Sequence, residues 1–320
     1  IMARAAHGIA DDLLTNTLLT AQCPVMFAPA MHTEMWEHPA TRDNVATLRS
    51  RGAFVVDPAV GRLTGADSGA GRLPEPDSLY SMVNSILLRG TAETDLAGMH
   101  VLVSAGGTRE PLDPVRYLGN LSSGRQGYAL AAAAASRGAS VTLVSANVGL
   151  PLAPGVDVIE VSSASEMHAL MRREALDADV VVMAAAVADF RPADKATSKI
   201  KKTDDGATPG VSLEHNPDIL ADLVAHRQEN QIVVGIAAET GDEHGSVLDY
   251  GRIKLAKKGC DLLVVNEVGR GKAFGTRDNA VTILGRDGSE SVVPLASKEA
   301  VAHRVWDSVA LWRERPHPPA

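Results

Sequence analysis

Residues 100–127 constrain the fold more than any other part of the sequence. An apolar run stops at a glycine pair, and a polar loop with two arginines leads into a small-residue turn and an alanine-rich stretch. This order predicts a buried strand, a glycine loop and a helix, an arrangement that can cradle a phosphate because glycines admit close backbone approach and the helix start offers free N–H groups. An ordinary strand-to-helix crossover has the same outline, but the arginine, asparagine and serine side chains favour an anion site. The dinucleotide-binding fingerprint, G-x-G-x-x-G, does not follow the strand. The P-loop pattern, G-x-x-x-x-G-K-[ST], is also absent.

Apolar runs and helical patterns alternate regularly after residue 100, which is typical of a Rossmann-like, mostly parallel α/β sheet. Two apolar runs around the turn at residues 285–288 predict a terminal β-hairpin. Further strands are predicted over residues 100–105, 140–146, 157–161, 179–186, 231–238 and 261–266, and helices over 126–137, 164–174, 217–227, 247–258 and 297–313.

A chain of 320 residues exceeds the usual size of one domain. The polar, glycine-containing joint at residues 89–98 predicts a boundary near Thr94, which separates domains 1–94 and 95–320. The first domain also alternates, with a predicted helix over 9–20, a strand over 24–31, a helix from a Thr41 cap to residue 50 and a strand over 54–57. Because Ile1 opens in what resembles the middle of a helix, we expect an N-terminal piece to be lacking.

Composition excludes several classes of protein. A net charge of −8 argues against nucleic-acid binding, which needs a basic face. Cys23 and Cys260 are too far apart in sequence to form a metal knuckle and are interpreted as reduced thiols. No apolar run is long enough to span a bilayer and no signal peptide is seen, so we expect a cytoplasmic protein that is not bound to a membrane.

Polar side chains collect where the predicted strands end, the edge at which open α/β sheets bind ligands. Asp189 follows one strand and could hold a cation on phosphates. The lysine-rich residues 194–206 come next and could close over an anionic ligand, although such clusters are usually solvated surface. Asn216 is predicted to cap the next helix, and Lys254 and Lys258 lie one helical turn apart, where they repel unless an anion lies between them.

The run SAGGTREPLDPVRYLGNLSSGRQG resembles the signature of bacterial phosphopantothenate–cysteine ligase, the second half of the bifunctional coenzyme A biosynthesis flavoprotein. AAAVADF, KIKK, NPDI, AAET and K-x-x-x-K continue the resemblance in order up to the hairpin. It implies that Asn120, Arg116 and Ala186 engage phosphopantothenate or its acyl-nucleotide, and that Lys199 acts on the activated carboxylate. The CTP contacts that it implies are Met183, Ala184, Ala185, Asp189, Lys199, Pro217, Asp218, Ile219, Leu220, Ile236, Lys254 and Lys258.

Residues 28–36, with sequence APAMHTEMW, resemble the P-x-M-N-x-x-M-W motif of the flavin-dependent phosphopantothenoylcysteine decarboxylases, whose domain is flavodoxin-like or Rossmann-like. The resemblance makes Met31 and His32 substrate contacts, with His32 in place of the usual asparagine. Residues 63–72 resemble the substrate-covering flap of that family, where Gly65 replaces the usual proton-donating cysteine and Asp67 is the nearest substitute. Because the family's catalytic histidine and most flavin contacts lie upstream, we do not expect residues 1–320 to decarboxylate alone.

The resemblance implies that CTP activates the phosphopantothenate carboxylate as an acyl-cytidylate, which the amine of L-cysteine attacks. It further implies Mg²⁺ at Asp189 through phosphates, FMN in the full-length decarboxylase domain, and a homo-oligomer built from ligase dimers and decarboxylase trimers into a dodecamer. Two alternatives on the same fold stay open, an NAD(P)-dependent reductase and a non-catalytic nucleotide-binding module. CTP and ATP are not distinguishable from the residues alone.

Overall fold

The computed structural model describes residues 1–63, 68–91, 93–151, 155–201, 210–267 and 278–315. The chain divides into two compact units, Ile1–Glu93 and Thr94–Ala320, which meet in sequence within the polar joint at residues 89–98. No helix among the described residues is long and apolar enough to cross a membrane.

The first unit is a small α/β unit whose core contains Trp36, Val45 and Leu48. Strands β1 and β2 pair in parallel, and β3 and β4 form an antiparallel hairpin. The described elements are α1 Met2–His7, α2 Leu13–Thr20, β1 Met26–Phe27, α3 Thr33–Glu37, α4 Pro39–Ser50, β2 Phe54–Val55, β3 Ala59–Arg62, β4 Ser68–Arg72 and α5 Pro76–Arg89.

Four boundaries in this unit were predicted wrongly, and one of them is the strand expected over 54–57, which is observed as Phe54–Val55. The helix expected over 9–20 begins only at Leu13, because Asp12 caps it and receives the Thr15 N–H. The strand expected over 24–31 is limited to Met26–Phe27, and prolines that lack a donor stand on either side of it. The helix expected to begin at Thr41 begins at Pro39, where the His38 ring accepts the Ala40 N–H.

The second unit contains the main sheet. Its described strands are β5 His100–Gly106, β6 Arg109–Asp113, β7 Arg116–Gly119, β8 Ser140–Ala146, β9 Val156–Val161, β10 Val180–Met183, β11 Phe190–Pro192, β12 Leu213–His215, β13 Ile232–Glu239, β14 Leu262–Glu267, β15 Asp278–Gly285 and β16 Glu290–Ser297. Its described α-helices are α6 Arg125–Ser136, α7 Ala164–Glu174, α8 Ile219–Ala225, α9 Val247–Lys258 and α10 Lys298–Arg313.

The eight strands of this sheet follow the order β16-β15-β14-β13-β10-β5-β8-β9. The strands from β14 to β9 are parallel, and β15 and β16 form the antiparallel hairpin at the edge. The predicted Rossmann-like sheet with a terminal hairpin is therefore confirmed. Strand order reverses beside β5, since β8 and β9 extend to one side and β10, β13 and β14 to the other. A crevice for ligands is expected outside the carboxyl ends of β5 and β10, at this switch point.

Strand β10 is shorter than predicted, because it ends at Met183 instead of residue 186. Beyond Met183 the N–H groups of Ala184 and Ala185 both donate to the Ser104 hydroxyl of β5, at 3.1 Å each, instead of continuing the ladder. The chain therefore turns at the strand end and opens the crevice.

Helix α6 lies directly on β5 at Gly127. A Cβ placed on Gly127 would lie 2.6 Å from the Ala105 Cβ and 2.9 Å from the Ser104 carbonyl oxygen. On the other side of the helix, the buried Trp306 of α10 donates from Nε1 to the Leu130 carbonyl oxygen at 2.9 Å. The helix is thus held between the sheet and α10, with no room for a larger residue at position 127.

We expect Gly127→Ala to lower the free energy of unfolding by about 1–3 kcal/mol, because overpacking outweighs the gain in helix propensity. Urea unfolding of the second unit measures the change. Gly149→Ala is the control, since no atom lies within 4 Å of its added methyl group. Equal stability of Gly127→Ala and wild type would contradict the close packing of α6 on β5.

Candidate functional site

Two glycines shape the crevice at the end of β5. Gly106 has a φ of +88°, and a Cβ there would lie 2.0 Å from the Ala146 carbonyl oxygen. A Cβ on Gly107 would lie 2.7 Å from the carbonyl oxygen of Asn120. Only glycine allows the backbone of the Asn120 loop to lie this close to the sheet end.

The loop after β10 closes the opposite side of the crevice. The N–H of Ala186 donates to the Gly106 carbonyl at 2.8 Å, and the N–H of Ala188 donates to the Thr108 hydroxyl at 2.9 Å. Together with the bonds to Ser104, these contacts engage the N–H groups of residues 184–186. The predicted contacts of this loop with a nucleotide or acyl group must therefore use carbonyl oxygens and small side chains.

Asn120 lies against this loop, as its predicted association with Ala186 requires. Its Nδ2 donates to the Val187 carbonyl oxygen at 3.0 Å, while the side chain stays exposed. Because an amide nitrogen carries two hydrogens, one donor is used to fix the side chain and one remains for a ligand. The structure thus brings Asn120 and Ala186 together at the switch point.

Arg116 has a different environment from the free anion contact that the sequence suggested. Its guanidinium donates from Nε and Nη2 to Asp113, at 2.9 and 2.6 Å, and from Nη2 to the Ile200 carbonyl oxygen at 2.7 Å. Ile200 follows Lys199, so Arg116 lies beside the predicted catalytic lysine. Burial of Asp113 opposes ionisation, but hydrogen bonds from Val115, Arg116 and Ile200 lower its pKa to about 2.

Lys254 and Lys258 correct a prediction. The sequence suggested that the two ammonium groups repel unless an anion lies between them, but each has its own carboxylate partner in the chain. Lys254 pairs with Glu239 at 2.5 Å, and Lys258 pairs with Asp218. Burial of Asp218 opposes ionisation, but the Lys258 ammonium and the Ala221 N–H both donate to the carboxylate, so the pKa of Asp218 is lowered.

The helix after the predicted NPDI motif begins later than expected. Asp218, not Asn216, caps α8, so the predicted helix over 217–227 is observed as Ile219–Ala225 and Pro217 precedes it. Asn216 instead donates from Nδ2 to the Ala188 carbonyl at 2.8 Å, and its N–H donates to the Asp189 carbonyl at 2.9 Å. Asn216 therefore fixes the loop that presents Asp189.

The other predicted nucleotide contacts differ in exposure. Ile219 is 3% exposed and packs in the core, so only its backbone is available to a ligand. Leu220 is partly buried and packs against the same core, and Met183 is buried. Ile236 follows Gly235, the partner of Met183 in the sheet, and is partly buried within β13, just past the level at which β10 ends.

Asp189 is exposed at the end of the loop after β10. Across residues 1–63, 68–91, 93–151, 155–201, 210–267 and 278–315, no group of three or more His, Cys, Asp or Glu side chains could hold a metal ion. A cation at Asp189 would depend on oxygens of a ligand for most of its coordination.

The first unit has a cleft of its own, of about 380 Å³, between the β3–β4 hairpin and the segment after β1. Met31 and His32 line it with Arg62 and Arg72. The Met31 N–H donates to the Gly71 carbonyl at 2.9 Å, which joins the two walls, and His32 precedes α3. Gly65 and Asp67 lie outside the described residues.

Two family models cover most of the chain. Residues 96–311 match the C-terminal domain of DNA/pantothenate metabolism flavoproteins, and residues 1–88 match the Flavoprotein family. The coenzyme A biosynthesis bifunctional protein CoaBC of Mycobacterium tuberculosis is 57% identical over 316 residues, which are 97% of this chain and 75% of that protein. The chain belongs to the bifunctional coenzyme A biosynthesis protein family.

Other members of this family agree. CoaBC of Vibrio cholerae is 43% identical over 306 residues, or 95% of this chain and 74% of that protein. The solved structure of a CoaBC C-terminal domain covers 68% of this chain and 97% of its own, with 32% identity and a TM-score of 0.57. The family assigned from the sequence is confirmed. The chain is an enzyme of coenzyme A biosynthesis, with a phosphopantothenate–cysteine ligase domain and a flavoprotein decarboxylase domain.

Of four residues that organise the site, Asp113 and Glu239 were not singled out from the sequence, and Asn216 and Asp218 were singled out for other roles. Asp113 and Asn216 hold the segments that carry Lys199 and Asp189, and Glu239 and Asp218 hold the two helical lysines. Asp113 had a recognisable signal, since Asp-Pro-Val-Arg at residues 113–116 is a turn sequence with an acid and a base three positions apart. The carboxylate partners of Lys254 and Lys258 had no recognisable signal, because the two residues of each pair are 15 and 40 positions apart in the sequence.

Proposed function

We propose that the Thr94–Ala320 unit joins 4′-phosphopantothenate to L-cysteine with CTP, through an acyl-cytidylate intermediate. The observation that supports this proposal is the contact of the Asn120 side chain with the loop of Ala186 at the switch point, together with the β6–β7 hairpin, which precedes Asn120 and holds the Lys199 segment. Family membership supports the same reaction. The reductase alternative lacks such support, and its G-x-G-x-x-G loop is absent from the sequence.

The chemistry needs a good leaving group on the carboxylate. A carboxylate oxygen attacks the α-phosphorus of CTP, the bond to the β-phosphate oxygen breaks, and pyrophosphate leaves. The cysteine amine then attacks the acyl carbon, the bond to the cytidylate oxygen breaks, and CMP leaves as the amine proton passes to solvent. Atoms and charge balance without an enzyme nucleophile, so positioning and electrostatics are the roles left to the protein.

The predicted lysines, Asn120 and Ile236 have separate roles in this scheme. The ammonium of Lys199 would stabilise negative charge that develops on the transferring phosphoryl and acyl oxygens. The free donor of Asn120 would polarise the acyl carbonyl during attack by the amine. Lys254 and Lys258 would share their charge between the triphosphate and their carboxylate partners. Ile236 would contact the base.

The residues at this edge fit a Mg²⁺ ion that the triphosphate itself largely coordinates. Asp189 would supply a carboxylate oxygen, and the ion would offset triphosphate charge. For the Ile1–Glu93 unit we propose a place in an FMN-dependent decarboxylase domain, since the flavoprotein match and the Met31–His32 cleft agree. FMN, when bound, would supply the redox chemistry of that domain.

The expected ligase dimer, decarboxylase trimer and dodecamer remain predictions. Val115, Tyr117 and Leu121 of the β6–β7 hairpin and the following loop are 61%, 53% and 84% exposed, which supports a protein contact at this hairpin. Sedimentation velocity of the chain would test self-association.

Pyrophosphate release tests the proposed reaction. We expect release only when CTP and phosphopantothenate are both present, and CMP and the amide product only when L-cysteine is added. ATP in place of CTP measures nucleotide selection. Pyrophosphate release without phosphopantothenate, or none with all substrates, would contradict the proposal, and saturable binding without turnover would favour a nucleotide-binding module. A spectral titration with NADPH tests the reductase.

We expect Asn120→Asp to let the acyl-cytidylate accumulate. The carboxylate has no N–H to donate to the acyl carbonyl, so attack by cysteine is slowed more than formation of the intermediate. Rapid quench with α-labelled CTP measures the intermediate. Asn230→Asp, in the exposed turn before β13, is the control and should behave as wild type. Asn120→Asp without accumulation would remove Asn120 from the second step.

A further inference from the structure

The described part of the lysine-rich segment is held by contacts along its backbone. Ala193 N–H donates to the Ser212 carbonyl at 3.0 Å, and Ala196 N–H donates to the Leu112 carbonyl at 3.0 Å. Ile200 N–H donates to the Asp113 carboxylate at 3.1 Å. The last two acceptors are consecutive residues at the end of β6, so the β6–β7 hairpin is the support on which residues 196–200 lie.

The two oxygens of Asp113 have separate tasks. Oδ1 accepts the N–H groups of Val115 and Arg116, both at 2.9 Å, and so fixes the hairpin turn. Oδ2 accepts the Ile200 N–H and the Arg116 guanidinium, while that guanidinium also donates to the Ile200 carbonyl. The Ile200 residue is therefore held through both its N–H and its C=O. Asp113 is 2% exposed, so water has little access to its two carboxylate oxygens.

Lys199 itself has no such support. Its side chain is exposed and forms no hydrogen bond or ion pair with any residue in the described part of the chain. Its position is set by the backbone, since the Cα atoms of Lys199 and Ile200 are about 3.8 Å apart across one peptide.

We infer that Asp113 is a positioning residue for the ligation, which acts by holding Ile200 and thereby fixing the backbone position of Lys199. This inference rests on the proposed function. Arg116 shares the task, because it completes the hold on Ile200 from the carbonyl side. A lysine placed in advance loses less freedom in the transition state than one on an unanchored segment, so release of Ile200 should slow turnover more than it weakens nucleotide binding.

The variant that tests this is Asp113→Asn in the full 320-residue chain. The asparagine keeps Oδ1, which still accepts the hydrogen bonds of the turn. Its amide nitrogen takes the place of Oδ2 and, because it is itself a donor, cannot accept from the Arg116 guanidinium or the Ile200 N–H. Glu110→Gln is the matched control. Glu110 is 2% exposed in the same strand, but its carboxylate accepts the Ala164 N–H at 2.9 Å and forms no hydrogen bond with the described residues 193–201.

The rate of cleavage by trypsin measures directly how firmly Ile200 is held. Trypsin cleaves the Lys199–Ile200 peptide bond, and Asp113 accepts a hydrogen bond from the N–H of that bond. We expect Asp113→Asn to be cleaved at this bond about tenfold faster than wild type or more, because a buried charge-assisted hydrogen bond is lost and the segment opens locally. The Glu110→Gln chain should be cleaved there at the wild-type rate.

Kinetics separate positioning from a general loss of structure. For Asp113→Asn we expect kcat of CTP-dependent pyrophosphate release to fall about tenfold or more, because pre-organisation is lost. The Kd for CTP, measured by calorimetry, should change by less than about twofold, because Lys254 and Lys258 have independent partners.

Each outcome decides between the two claims. An active wild-type chain whose Asp113→Asn variant keeps its kcat, or resists trypsin as wild type does, overturns the inference and leaves the proposed function standing. Equal loss of kcat in Glu110→Gln also overturns the inference. A wild-type chain that releases no pyrophosphate from CTP and phosphopantothenate overturns the proposed function, and the inference with it.

Discussion

Lys199→Gln is expected to lower ligase turnover by about 10³-fold while the chain stays folded, because an ammonium that faces charge developing in the transition state contributes several kcal/mol. Glutamine keeps a comparable length and polarity but removes the positive charge. The side chain is exposed and has no partner among the described residues, so its loss leaves packing unchanged. Steady-state release of pyrophosphate measures the effect, and circular dichroism checks the fold.

Lys257→Gln is the control for this experiment. Lys257 is an exposed lysine on α9 of the same domain, and its replacement by glutamine removes the same positive charge. It has no assigned contact with substrate. We expect Lys257→Gln to retain wild-type turnover. Wild-type turnover of Lys199→Gln would remove Lys199 from the mechanism, and an equal loss in both variants would indicate a general charge effect.

Arg137→Met is expected to lower the free energy of unfolding of the second unit by about 3 kcal/mol, at the lower end of what breaking a buried ion pair costs. Arg137 is 1% exposed and follows α6. Its guanidinium donates to Asp95, to Asp307 at 2.9 Å and to the His303 carbonyl at 3.0 Å. We expect a loss of stability at the low end of this range because the side chains of Asp95 and Asp307 are 29% and 38% exposed and keep access to water.

This arginine joins α6 and α10 to the segment that enters the second unit, so its loss should loosen all three together. Denaturant unfolding measures the change. Arg173→Met is the control, since that side chain is 65% exposed and, within the described residues, pairs only with its neighbour Glu174, and we expect a change below about 0.5 kcal/mol. An Arg137→Met variant as stable as this control would show that the buried ion pairs contribute no net stability.

The sequence predicted the main sheet well because buried parallel strands are continuous apolar runs. Val101–Val103 and Val180–Val182 are fully buried, and nothing but a central strand fits such runs between helical patterns. The β6–β7 hairpin was interpreted as a loop, because Pro111 and Pro114 and its many polar residues hide the strand pattern. Yet this hairpin supports the Lys199 segment.

The position of the crevice could be predicted from the sequence, but most of the side-chain contacts around it could not. The end of a strand identifies Asp189, since residues at the carboxyl edge of a parallel sheet gather there whatever their separation in sequence, whereas the family resemblance identified Asn120 and Ala186. The pairing of Lys254 with Glu239 and of Ile200 with Asp113 depends on side-chain placement between distant segments. Such contacts carry no local pattern, so repulsion between the two helical lysines was wrongly expected.

The fate of one oxygen atom tests the central claim most directly. Phosphopantothenate labelled with ¹⁸O in its carboxylate is turned over with CTP and L-cysteine, and the products are analysed by mass spectrometry. The proposed attack on the α-phosphorus predicts one ¹⁸O in each CMP and none in pyrophosphate. Label in inorganic phosphate or pyrophosphate, or CMP without label, would contradict an acyl-cytidylate.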